Sequence, residues 1–317
     1  GKQAHMKIKI LISILAALLI SVPGKCEVPA SFVYDSCNGD TLHLDFYAAQ
    51  SCAPAPVLIY AFGGGFKGGT RRSDSYNHMF DFMTRNGIAV VSIDYRTLLK
   101  EADPAAMASA DGFKAALVEA IGAATADMLK ATAFVYSKAG EWNIDPNLMF
   151  ACGSSAGAIT ALQTEYELCN DSTLAESYNL PAGFNYAGVI SMAGAICCEY
   201  EPAWKNAPSP ILLFQGDADA IVPFEKAVLG NFGLWGSKTI SDGLSRQGIP
   251  HRFHRFNGAS HEIAEQPMQT NTGEIYDFIA AVASSRCNDI INTTGYNPQQ
   301  GEYKTEFSII DYIKANM

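Results

Sequence analysis

Short continuous apolar runs alternate along the chain with longer stretches of helical spacing. Residues 31–34 and 41–47 flank Asn38-Gly39, a dipeptide that favours a tight hairpin turn. Residues 56–61 are a compact apolar run that leads into Gly63-Gly64-Gly65, and residues 76–85 read as a helix. The β-branched run within residues 87–95 predicts a buried strand. Residues 105–139 are rich in Ala, Leu, Met and Lys, which predicts helix with breaks at Gly112 and Gly122. Residues 148–152 predict another buried strand, followed at once by a Gly/Ser turn and a helix over 158–168. Further strands are expected at 188–192, 210–214 and 251–256, and the last large helix at 272–286. Residues 288–303 are polar and rich in Asn and Gln. Residues 307–314 then predict a short amphipathic helix, docked on the core by its apolar face or, alternatively, offered to a partner.

Strands that alternate with helices predict βαβ units, so the expected fold is α/β: a mostly parallel central sheet flanked by helices and preceded by an N-terminal hairpin. No fixed-period repeat or linker divides the chain, and residues 25–317 read as one catalytic domain with a C-terminal tail helix.

Composition agrees with that picture and narrows the function. Of 317 residues, 48% are hydrophobic and 17% charged, which excludes a disordered or collagen-like chain. The formal net charge of -10 and the lack of a dense basic run argue against nucleic-acid binding, which needs a basic face for phosphate. Residues 1–24 read as a short appended remnant and a signal peptide. Met6 is the natural start, Lys7 and Lys9 form a basic region, and residues 10–22 are apolar but too short to span a bilayer. The expected localisation is therefore periplasmic or extracellular, with no stable membrane insertion. Export makes the eight cysteines relevant. Cys152 reads as a buried free thiol, while Cys37 with Cys52, and Cys169 with Cys197 or Cys198, are possible bridges. Neither Cys-x-x-Cys nor a His-x-x-x-His spacing occurs, so no metal site is expected.

The chemistry centres on Gly153-Ser154-Ser155-Ala156-Gly157. A G-x-S-x-G pattern between an apolar strand and an Ala-rich helix thrusts its central residue out at the strand's carboxyl end, which makes Ser155 the nucleophile candidate over Ser154. A serine hydroxyl needs a base, and the base needs a carboxylate to hold it. Downstream, Asp219 follows an apolar strand, with Asp217 as the alternative acid. His261 follows the next strand and is a better base than His251 or His254, which lie within that strand. The order Ser, Asp, His is that of a nucleophile-elbow hydrolase. The bare N–H groups around Gly63-Gly64-Gly65 can meet a substrate oxygen closely. No Gly-Lys-Ser/Thr or Gly-x-Gly-x-x-Gly follows, which excludes a phosphate loop.

At Phe62-Gly63-Gly64-Gly65-Phe66, Asp94-Tyr95-Arg96, Gly153 to Gly157, Asp219-Ala220-Ile221-Val222-Pro223 and His261 the chain resembles the α/β-hydrolase superfamily, and within it carboxylesterases similar to hormone-sensitive lipase. The resemblance implies oxyanion donors on Gly64, Gly65 and Ala156, and no cofactor. It also implies a histidine where Phe62 stands, so the loop here must be held by packing or by other polar groups.

The expected function is thus a secreted serine carboxylesterase acting on a small-molecule ester through an acyl-enzyme. A serine peptidase of the same fold, or a non-catalytic binding protein on this scaffold, are the alternatives. Residues 98–112 and 170–184 are the expected pocket caps. Their charges, among them Lys100, Glu101, Asp103, Asp111, Asp171 and Glu176, favour short-acyl soluble esters over lipid.

Overall fold

The computed structural model describes residues 29–37, 39–296 and 308–316. The signal-peptide reading of residues 1–24, Cys26 and residues 297–303 of the polar stretch fall outside them. The strands in chain order are β1 (Ala30–Cys37), β2 (Asp40–Tyr47), β3 (Ala55–Ala61), β4 (Ala89–Ile93), β5 (Ile144–Ser154), β6 (Gly188–Met192), β7 (Ala195–Cys198), β8 (Ile211–Gly216), β9 (Lys226–Leu229), β10 (Phe232–Gly236), β11 (His251–Asn257) and β12 (Ile290–Tyr296). The main helices are α1 (Asp74–Arg85), α2 (Ala110–Lys138), α3 (Ala156–Asn170), α4 (Ser237–Gln247), α5 (Thr272–Ala283) and α6 (Ile309–Asn316).

Nine strands form one sheet in the order β1-β2-β4-β3-β5-β6-β8-β11-β12. The β1–β2 and β2–β4 pairs are antiparallel. From β4 to β12 every pair is parallel. Strand side chains alternate between faces, so the two faces have different partners. Tyr60 of β3 packs on Tyr76 and Phe80 of α1, and Phe150 of β5 packs on Phe278 of α5. The alternate residues, Ala61 and Gly153, face α3. The chain leaves β3 for β4 on one side and returns to β5 on the other. The crevice between the carboxyl ends of β3 and β5 is therefore the switch point, where sheets of this type bind ligands.

Two expectations about helices and strands need correction. The helix α2 does not break at Gly112 or Gly122. A side chain at Gly122 would meet open space, and the cost of a glycine there, about 1 kcal/mol, is outweighed by the burial of Phe113, Leu117, Ala120, Ile121, Ala124 and Met128. The interruption lies earlier, at Ser109, whose hydroxyl caps α2 by accepting from the Gly112 N–H at 3.0 Å. The polar segment after residue 288 contains a strand, β12, parallel to β11 at the end of the sheet. Three short strands, β7, β10 and β9, add a separate antiparallel sheet that the apolar pattern did not predict.

The proposed disulfides are not formed. Cys52 is exposed and free, and Cys169, Cys197 and Cys198 are all free. Cys152 is a fully buried thiol, and burial pushes its pKa up. On α6, Tyr312 is buried against Phe113, and Ile309 and Ile313 pack on the core. No helix among the described residues is long and apolar enough to cross a membrane.

Candidate active site

The strand β5 passes into α3 through a single sharp turn, and the glycines around it are there for space. A Cβ on Gly153 would lie 2.1 Å from the Gly157 carbonyl oxygen, and one on Gly157 would lie 2.1 Å from that of Ala61. Any larger residue would push α3 off the sheet. Between them Ser155 sits at φ 52° and ψ -117°, a conformation that costs a non-glycine residue about 1–3 kcal/mol. Its N–H donates to Met192 O at 2.8 Å, which pins the turn to the end of β6. Ser154 remains in the strand and is buried.

The structure brings Ser155, His261 and Asp219 together. Ser155 Oγ lies 2.8 Å from His261 Nε2, and His261 Nδ1 lies 2.8 Å from Asp219 Oδ2 and 3.0 Å from Oδ1. A carboxylate only accepts, so Nδ1 carries the hydrogen and Nε2 presents its lone pair to the serine hydroxyl. Asp219 is almost wholly buried, and its Oδ1 also accepts from the N–H groups of Ile221 at 2.9 Å and Val222 at 3.0 Å. Gln215, at the end of β8, secures that loop by donating to the Val222 and Pro223 carbonyls and accepting from Ser237 N. Asp217 points elsewhere. It pairs with Arg255 at 2.6 Å and accepts from Gly258 N at 2.6 Å, which shapes the turn leading to His261. His251 is buried, hydrogen-bonded to Ser241 and Ser245, and His254 stacks on Phe214.

The glycine loop after β3 lies against the elbow. A Cβ on Gly63 would be 3.3 Å from Ser155 Cβ. Gly63, Gly64 and Gly65 line one cavity with Ser155 and His261. Gly64 has φ +135°, and a side chain there would collide with the Gly68 carbonyl, so the loop can fold this way only with glycine. Ala156 opens α3, so its N–H has no acceptor within the helix. It is buried below the cavity floor rather than part of the lining.

The loop is held by a clamp that the sequence left open. Tyr95 stacks on Phe62 with ring centroids 4.5 Å apart and donates its hydroxyl to Phe62 O at 2.6 Å. Asp94 accepts from Arg71 at 2.7 Å, and Arg96 forms a forked pair with the buried Asp127. Asp45, also buried, receives Arg71 at 3.1 Å and Arg72 at 2.9 Å. Burial alone would raise the Asp45 pKa, but hydrogen bonds and charge from Arg72 and Arg71 hold it below the usual carboxylate range. The far end of the glycine loop is thereby moored to β2 and β4. Tyr95→Phe keeps the stack and removes the hydroxyl. We expect kcat to fall about tenfold with KM little changed, and Tm to drop by about 2–4 °C, because the lost buried hydrogen bond is worth about 1 kcal/mol of stability. Steady-state kinetics and a melting curve check this, and an unchanged kcat would refute the clamp's role.

The cavity above Ser155 has a volume of about 1250 Å³. Its wall comes from the loop at 63–76, Ile221, residues 261–269 and Ala315 of α6. Neither expected cap is among them, which is a correction. Residues 170–184 follow the carboxyl end of α3. A helix in a βα unit runs back along the sheet, so that segment lies at the opposite end from Ser155. Residues 98–103 instead line separate cavities with Met107 and with Asp40. The residues that sequence reasoning missed are Asp74, Ser75 and Tyr76 at the start of α1, and Glu265 and Gln269 beyond His261. Gln269 Nε2 donates to Ser75 O at 2.5 Å across the mouth. Among the described residues, no group of three or more His, Cys, Asp or Glu could hold a metal ion.

Known proteins similar to this chain are esterases. The model of the BD-FAE family, an esterase family, matches residues 44–196. Esterase B1 of Culex pipiens is 29% identical over 140 residues, or 42% of this chain. That match spans only 23% of the Culex protein's own length. Among solved structures, Est2, a thermophilic esterase from the Planctomycetes species Thermogutta terrifontis, superposes with a TM-score of 0.58 at 17% identity, covering 84% of this chain and 95% of Est2. Est2 with bound butyrate and Est2 phosphonylated by cyclosarin superpose with the same TM-score and identity, covering 84% of this chain and 97% of theirs.

Proposed function

We propose that this chain, which has the α/β-hydrolase fold, is a serine carboxylesterase of that superfamily acting on small, soluble esters. The observation that carries the reading is the relay of Ser155, His261 and Asp219 beside the glycine loop, at the switch point of the sheet. The ester carbonyl oxygen enters the loop and receives the N–H groups of Gly64, Gly65 and Ala156. Ser155 Oγ attacks the carbonyl carbon as its proton passes to His261 Nε2. Asp219 holds the ring in that tautomer and stabilises the imidazolium. The tetrahedral intermediate collapses, the C–O bond to the alcohol breaks, and the imidazolium returns its proton to the leaving oxygen. Water then repeats the sequence on the acyl-enzyme, which releases the acid and restores Ser155.

The preference for soluble esters rests on Thr70, Ser73, Asp74, Ser75, Glu265 and Gln269, which place polar groups around a cavity whose remaining wall is largely apolar. An interfacial enzyme would need an apolar rim to meet lipid. The bound butyrate of Est2, and the covalent phosphonate it accepts from cyclosarin, favour the same reading. Export rests on the apolar residues 10–22, and N-terminal sequencing of the recovered protein tests it. Aryl acetate, butyrate and palmitate test the substrate class. Acetate and butyrate should have the higher kcat/KM, whereas preference for palmitate, or activation by emulsified lipid, would overturn it.

A further inference from the structure

We propose that the cavity selects esters by charge, with Glu265 as the residue that makes it favour a cationic alcohol group over a neutral one and reject an anionic one. This rests on the esterase reading above and specifies its substrate.

The described lining carries three carboxylates, Asp74, Glu262 and Glu265, against one ammonium, Lys67. The carboxylates are not equivalent. Glu262 accepts from the Ser260 N–H at 3.0 Å, and Asp74 lies in the first turn of α1, where the helix N-terminus stabilises it, and accepts from Asn77. Glu265 follows the helical turn His261–Ala264, and among the described residues nothing forms a hydrogen bond or ion pair with its carboxylate. Its charge nevertheless reaches the cavity wall. The Tyr76 hydroxyl is held above its ordinary pKa first by burial and then by Glu265, and Glu265 acts on the buried Tyr60 in the same direction. A substrate cation would therefore meet a carboxylate with no partner to give up. A substrate anion would be brought next to that carboxylate in a cleft, where field lines concentrate. One such charge, partly exposed to solvent, is worth about tenfold in affinity and weakens as salt shortens the screening length.

The test uses three butyrate esters of similar size: butyrylcholine, its uncharged carbon isostere 3,3-dimethylbutyl butyrate, and O-butyryl glycolate. Acid release is followed by titration at low ionic strength. Butyrylcholine should exceed the isostere in kcat/KM about tenfold, and the glycolate ester should fall below it by a similar factor. In Glu265→Gln the cation-to-neutral ratio should collapse toward one. It should persist in Glu141→Gln, which removes the same charge beside Lys138, ahead of the amino end of β5 and far from Ser155. Salt at 0.5 M should shrink the ratio in the wild-type protein. Equal rates on all three esters, or a ratio that survives Glu265→Gln, would overturn the charge selection and leave the esterase standing. Turnover of none of the three, with none on aryl butyrate, would overturn both.

Discussion

Ser155→Ala should lose about 10⁶ in kcat on aryl butyrate and fail to form a fluorophosphonate adduct, while the wild-type protein forms one on the peptide that holds Ser155. The Ser155 hydroxyl lies within hydrogen-bond reach of His261 Nε2, whereas Ser154, the nearest competitor, borders the same cavity but remains in β5. An adduct on Ser154, or a labelled Ser155→Ala protein, would refute the assignment. The backbone at this position supports a second, opposite expectation. Ser155 holds a positive φ that glycine adopts without strain. Ser155→Gly should therefore be as inactive as the alanine variant and yet melt at a higher temperature, by about 1 kcal/mol of relieved strain. Equal or lower stability would show that the elbow is unstrained.

Asp219→Asn should lower kcat by about 10⁴ with the fold intact. An asparagine in the same orientation keeps an oxygen for the Ile221 and Val222 N–H groups, so the loop survives. It then presents an NH₂ where His261 Nδ1 needs an acceptor. The ring answers by moving its hydrogen to Nε2, where it meets the Ser155 hydroxyl donor to donor and cannot take the proton. Asp217→Asn should behave differently. Asp217 carries the Arg255 pair and the Gly258 contact, so its loss should cost about 1–3 kcal/mol of stability with a far smaller effect on turnover. Kinetics and melting curves on both variants separate the roles, and a reversal of the two patterns would mean the acid is Asp217.

These residues were legible in the sequence because the features that mark them are local. A turn that leaves no room for side chains must be written Gly153 and Gly157, and an acid and a base at strand ends follow the runs of β8 and β11. Features fixed by distant contacts were not legible. Gly122 looks like a break until Phe113 and Met128 are seen buried on the other side of its helix. The short strands β7, β9 and β10 hold four or five residues each, too few to show a period. The caps were misplaced because residues 170–184 are near Ser155 in sequence but at the far end of the sheet in space. Tyr95 could be tied to the family signature, yet its grip on Phe62 joins residues 33 apart, and no spacing rule reveals it.

The strand β12 was missed because it is polar, and that polarity has a use. It closes the parallel array, and Ile290, Asn292, Thr293 and Thr294 are solvent-exposed. Asn292 and Thr293 spend their side chains on neighbouring elements, accepting from Ser241 and hydrogen-bonding His254. A terminal strand built from valine and isoleucine like β4 would invite a second molecule to continue the sheet. The asparagine and threonines that hide this strand from a hydrophobic pattern are also what makes it a poor template for aggregation.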